Sequence, residues 1–94
     1  MGLRFEWDQR KADSNLKKHG VSFQEATSVF ADTMSITIPD PDHSVSEARF
    51  IDVGLSHRNR LIVVSYAERG EKIRIISARP ASRSERKDYE NKAC

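Results

Sequence analysis

The run Leu61-Ile-Val-Val-Ser-Tyr66 constrains the fold more than any other segment. It is nearly all apolar and rich in β-branched side chains, which favour extended backbone. Without polar alternation, it predicts a central strand buried on both faces. Arg49–Leu55 precedes it and alternates, with Ile51, Val53 and Leu55 on one face. His57-Arg-Asn-Arg60 reads as the turn between the two. A second turn, Glu68-Arg-Gly70-Glu, leads into Lys72-Ile-Arg-Ile-Ile-Ser-Ala-Arg79, the last strand. Such short connections predict an antiparallel meander of three strands.

The flanks complete the pattern. Phe5-Glu-Trp7 is a short candidate edge strand, and Asp8 suits a helix N-cap. In the following helix Ala12 and Leu16 share one face, with Asn15 and His19 beside them, and Gly20 ends it. Ser22-Phe-Gln-Glu25 matches a capping box, and Phe23, Ala26, Val29 and Phe30 form the stripe of a second helix that exits at Asp32. Met34–Ile38 alternates as a strand. Pro39-Asp-Pro41-Asp opens a loop to about Ala48, acidic and expected to be the most mobile segment. Ser82-Arg-Ser-Glu85 is another capping box, opening a helix through Tyr89. The predicted order is β-α-α-β-β-β-β-α. This is an α+β fold, with two N-terminal helices on a mainly antiparallel sheet and a C-terminal helix at an edge or on the same face.

Ninety-four residues, 37% hydrophobic and 32% charged, fit a single domain over residues 1–94. No apolar run approaches the length of a spanning helix, and the N-terminus lacks a signal-peptide core, so a cytoplasmic protein without membrane contact is expected. The lone cysteine, Cys94, excludes an internal disulfide and a cysteine-based zinc cluster. His19, His43 and His57 lie too far apart for metal-ligand spacing, and no phosphate-binding glycine loop occurs, so no cofactor is expected. Net charge is only +2, but residues 72–92 hold seven Lys/Arg against three Asp/Glu. A strand and a helix sharing a basic surface suit a phosphate chain.

The assembled segments resemble the BrnT family of bacterial toxins. The resemblance rests on Phe5-Glu-Trp7-Asp8, Asn15-Leu-Lys-Lys18-His19-Gly20-Val21-Ser-Phe23, Arg49-Phe-Ile-x-Val-Gly54, Arg74-Ile-Ile-Ser77-Ala-Arg79-Pro-Ala-Ser and Glu85-Arg86-x-x-Tyr89-Glu90. Each is weak alone; together they run in family order along nearly the whole chain. The resemblance implies a RelE-like fold and a toxin that cleaves RNA, inhibits translation and arrests growth. It also implies neutralisation by a BrnA-type antitoxin, in a 2:2 complex that binds operator DNA through the antitoxin.

Against that background, candidate roles can be weighed residue by residue. Arg79 closes the last strand, and period two puts it with Ile73, Ile75 and Ser77 at the core rim, facing a cleft. A guanidinium suits a phosphate and the charge of phosphodiester cleavage; the alternative is an ion pair with Glu85 or Glu90. Parity puts Arg49 on the face of Ile51, where a strand-end Arg beside Arg79 would give a second phosphate ligand. Glu85 fits the capping box, or takes the proton of a ribose 2′-hydroxyl. His19, at a helix C-terminus, is either structural or a proton carrier. Arg74, Arg83, Arg86 and Tyr89 are candidate RNA contacts, the helix arginines alternatively meeting solvent or the antitoxin. Trp7 and Tyr66 read as core. The competing class is a binding module without catalysis.

Overall fold

The computed structural model describes residues 3–40 and 48–93. The elements are β1 (Arg4–Glu6), α1 (Gln9–His19), α2 (Phe23–Ser28), a 3-10 turn (Val29–Ala31), β2 (Ile36–Pro39), β3 (Ala48–Leu55), β4 (Leu61–Arg69), β5 (Lys72–Pro80) and α3 (Arg83–Ala93). The element order is the one expected. The mobile loop expected at 39–48 falls largely on 41–47, outside the described residues. Among the described residues, no helix is long and apolar enough to cross a membrane.

The strands form one sheet in the order β1-β5-β4-β3-β2. β3, β4 and β5 are the antiparallel meander, β2 pairs antiparallel with β3, and β1 pairs in parallel with β5. Pro39 is the last residue of β2 and Pro80 of β5, rather than residues beyond them. Each occupies a strand end, where its missing N–H disrupts no ladder.

One face of the sheet packs against α1 and α2. Its core holds Ile62, Val64, Tyr66, Ile73, Ile75 and Ala78 against Phe23, Ala26 and Val29. Edge-on rings tie it together, Phe30 lying 4.9 Å from Tyr66 and Trp7 5.9 Å from Phe23. Gly54 is required here. A Cβ would lie 2.8 Å from Val29 Cγ1 and 2.9 Å from Ser35 Cβ, so only glycine lets the 3-10 turn approach β3. The other face holds Val53, Leu61 and Val63, against which Tyr89 of α3 packs. Leu61–Val64 is thus buried on both sides, as its composition demanded.

Two expectations change. α3 lies on the face opposite α1 and α2, because the odd-numbered residues of β4 offer the apolar surface that Tyr89 covers. On α1 it is Asn15 that is buried, while Leu16 is 50% exposed. The Asn15 amide donates to the carbonyls of Val21 (2.9 Å) and Ala78 (2.8 Å), and its oxygen accepts from the Ala78 N–H (3.1 Å). It acts as a detached peptide group on the edge of β5 beyond β1, satisfying backbone that would otherwise be buried unpaired.

Candidate active site and RNA-binding face

A β-bulge decides where the cations of β5 point. Ser65 pairs with Ser77, but Tyr66 pairs with Ile75, so Ile76 is an extra residue on β5. A bulge reverses the two-residue alternation beyond it. Ile73 and Ile75 therefore lie in the core under α1 and α2, as does Ala78. Ser77 and Arg79 lie on the opposite face, with Arg79 in register with Val63. The grouping of Arg79 with Ile73 and Ile75 is overturned. The same inversion puts Lys72, Arg74 and Arg79 on one face, the open one.

Arg79 stands at the rim of a groove of about 180 Å³. Ile36, Ile38, Ile51 and Val53 form its floor, and Arg79, Glu85 and Asp88 its wall. The guanidinium donates through both terminal nitrogens to the Glu85 carboxylate, at 2.8 and 2.7 Å. Glu85 also accepts from the Ser82 N–H at 2.7 Å, while Ser82 Oγ accepts from the Glu85 N–H at 3.3 Å. The capping box and the ion pair are thus one structure. The Arg79 side chain keeps 44% of its exposure and Glu85 26%. Hydrogen bonding to Arg79, followed by the Ser82 contacts, brings the Glu85 carboxyl down to about 2 against the opposing effect of burial. Glu85 is therefore ionised at neutral pH, and while paired it is a weak proton acceptor.

The other candidates are distributed over the molecule. Arg49 pairs with Ala67, and Ala67 with Arg74, so Arg49 and Arg74 belong to one rung of the sheet. Arg79 is four residues further along β4, about 13 Å at ~3.3 Å per residue. β3 and β5 run parallel, each antiparallel to β4, so the start of one and the end of the other lie at opposite ends. Arg49 is not beside Arg79. Arg74 and Lys72 both pair with Glu6 of β1, at 3.3 and 3.7 Å. Arg83 and Arg86 are exposed on α3. The Tyr89 hydroxyl, a candidate phosphate donor, donates instead to Asp32 at 2.6 Å. That bond, with burial, raises the phenol to about 12. His19 ends α1, on the helix that packs against the far side of β5.

Three groups carry signals that sequence reasoning missed. Glu25 is 1% exposed and lies in the stripe of Ala26 and Val29, where a carboxylate demands a partner. Arg60 supplies it from the β3–β4 turn, donating through Nε (2.9 Å) and a terminal nitrogen, and Ser56 Oγ donates at 2.7 Å. Hydrogen bonding from Arg60 outweighs burial and holds Glu25 below the usual carboxylate range. Asp32 accepts from the N–H groups of Met34 and Leu55 as well as from Tyr89, which outweighs burial and lowers its carboxyl. Asp52, 3% exposed, goes the other way, raised chiefly by burial. A larger, shallower depression of about 330 Å³ is lined by Ser28, Asp32, Leu55 and His57. Its polar atoms already serve the fold, since Ser28 Oγ accepts from the His57 N–H and Asp32 is occupied. The groove at Arg79 is the better candidate. Among the described residues, no group of three or more His, Cys, Asp or Glu side chains could hold a metal ion.

The molecule is thus a small α+β domain that carries Lys72, Arg74 and Arg79 on one sheet face. The family model described as "Ribonuclease toxin, BrnT, of type II toxin-antitoxin system" matches residues 7–85. The chain belongs to this family, whose type II organisation implies an antitoxin partner. The fold is similar to that in the crystal structure of the Brucella abortus ribonuclease toxin BrnT. That likeness has a TM-score of 0.68 and 22% identity, covering 87% of this chain and all of that one. No curated protein matches the chain.

Proposed function

We propose that the protein is a metal-independent endoribonuclease whose centre is the Arg79–Glu85 pair. The observation that carries this reading is the two-point contact of an accessible guanidinium with a carboxylate, at the rim of a groove on the basic face. A phosphodiester presents the same two-oxygen geometry to Arg79 that Glu85 does. Entry of RNA therefore exchanges one anion for another. Once Arg79 turns to the phosphate, the main cause of Glu85's depressed pKa is gone, and the carboxylate becomes a better base. The ribose 2′-oxygen attacks the adjacent phosphorus as Glu85 takes its proton; His19, behind the sheet, is left out of the centre. The bond to the 5′-oxygen breaks, and that oxygen leaves with the proton that Glu85 took, relayed through water. Arg79 stabilises the charge on the phosphoryl oxygens throughout.

Arg83 and Arg86 on α3, with Arg74 and Arg49 at the other end of the face, track neighbouring phosphates. The partner is a BrnA-like antitoxin that covers this face. Two toxin–antitoxin pairs join through the antitoxin, which binds operator DNA. Incubating purified RNA with the toxin in EDTA tests the reading. Cleavage that is lost in Arg79→Ala supports it. RNA binding without cleavage leaves a binding module, and growth arrest by Arg79→Ala equal to that by the native toxin removes Arg79 from the centre.

A further inference from the structure

The apolar groove beside Arg79 has no use in the scheme above, and its wall carries a carboxylate with no task. Glu85 is taken by Arg79 and the Ser82 N–H. Asp88, one turn further along the same face of α3, is exposed and has no hydrogen-bond or ion-pair partner among the described residues. The floor is aliphatic, and Ile38 remains 48% exposed. Among the described residues, α3 covers the Val53 end of this sheet face through Tyr89 and leaves Ile38 exposed. At about 180 Å³ the groove is smaller than the ~300 Å³ at which pockets for drug-sized ligands begin. It suits one flat ring better than a whole nucleotide.

We infer that the groove is a base-binding subsite selective for guanine, read by Asp88, an inference that rests on the ribonuclease reading. Sequence-specific recognition of RNA works on single-stranded bases that are splayed out, stacked and hydrogen-bonded on their edges. The isoleucine floor takes the ring face through dispersion and exclusion of water. The Watson–Crick edge of guanine presents two adjacent donors, N1–H and N2–H, which match the two oxygens of a carboxylate. Adenine and cytosine place an acceptor nitrogen beside their amino donor, and uracil flanks its one N–H with carbonyls. Each of these sets a lone pair against a carboxylate oxygen. With the base in the groove, its backbone phosphate falls on the Arg79 side of the rim. The cation and the free anion are thus each placed for the nucleotide atoms of opposite polarity.

Binding of four 2′-fluoro pentanucleotides, which lack the attacking hydroxyl, tests this. They carry G, A, C or U at the centre of an otherwise all-uridine sequence. The guanine oligonucleotide should bind about tenfold more tightly than the other three, the discrimination that one bidentate contact supplies. Asp88→Asn, a change at an exposed position, should abolish the guanine preference, because an amide sets a donor beside an acceptor and matches adenine or cytosine instead. Arg83→Ala should weaken all four equally and keep the preference. Equal binding of the four by the native protein, or a guanine preference that survives Asp88→Asn, overturns the subsite. If native RNA is still cleaved in that case, the ribonuclease reading stands without it. If neither binding nor cleavage of any RNA occurs, both readings fall. Equal affinities together with weakened antitoxin binding by Asp88→Asn would assign the groove to the protein partner.

Discussion

Ser22-Phe-Gln-Glu25 and Ser82-Arg-Ser-Glu85 are the same pattern at the start of two helices, yet they serve opposite ends. In each, the serine hydroxyl accepts the glutamate N–H, and in each the glutamate carboxylate meets an arginine through two nitrogens. What differs is the surroundings. The Glu25 side chain is 1% exposed, and Ser56 and Arg58 add to its shell. It fastens α2 to the β3–β4 turn, and nothing from outside can take its place. Glu85 stays 26% exposed, with Arg79 44% exposed beside an open groove. The first pair is a clasp. The second is an accessible contact, the one that a phosphate replaces in the function proposed above. Identical local chemistry becomes structural or functional according to how much water reaches it.

The sharpest way to break this comparison is to remove each pair in turn. Arg60→Ala leaves a buried carboxylate without its main partner and should cost about 3–5 kcal/mol in chemical denaturation. Glu85→Ala should cost only about 1 kcal/mol, the value of a cap and an exposed ion pair. Equal costs would show that the two pairs are the same kind of contact.

Activity should separate them in the reverse sense. Arg79→Ala is expected to lower RNA cleavage by about a hundredfold, as loss of a transition-state charge donor does, while the folding midpoint hardly moves. A variant that unfolds would make the Arg79–Glu85 pair a second clasp.

Acid titration sharpens the contrast further. The Glu85 carboxyl lies at about 2 when folded, against an ordinary 4.5. A depressed folded value means that the pair's stabilisation is complete above about 4.5 and is lost as the pH falls toward 2. Between those values, the urea midpoint of Glu85→Gln should fall less steeply than that of the native protein. Parallel slopes would show that the pair contributes no pH-linked stability.

The smallest effect concerns α3. Arg83→Ala and Arg86→Ala should each lower the salt slope of RNA binding by about one unit without altering stability. Unchanged slopes would make that helix surface a protein contact rather than a phosphate one.

The sequence by itself determined the strands, the helices and their order, because side-chain periodicity, capping residues and turn residues act over a few positions. Leu61–Val64 announced a strand with two covered faces, and Ser82 and Glu85 announced the start of α3. The family was equally legible, since its segments recur in order along the chain. It was the tertiary structure that decided which face each cation takes. The extra residue at Ile76 inverts the alternation of β5, and a bulge is set by pairing with β4, not by β5's own composition. Without that inversion Arg79 would point under the helices instead of into the groove. The same holds for Arg49, whose distance from Arg79 follows from strand direction, and for Asn15, whose burial rests on bonds to Ala78, 63 positions away. Glu25 and Glu85 share one local motif, and only the packing of distant strands around each sets the access of water that makes one a buried clasp and leaves the other open for the role proposed.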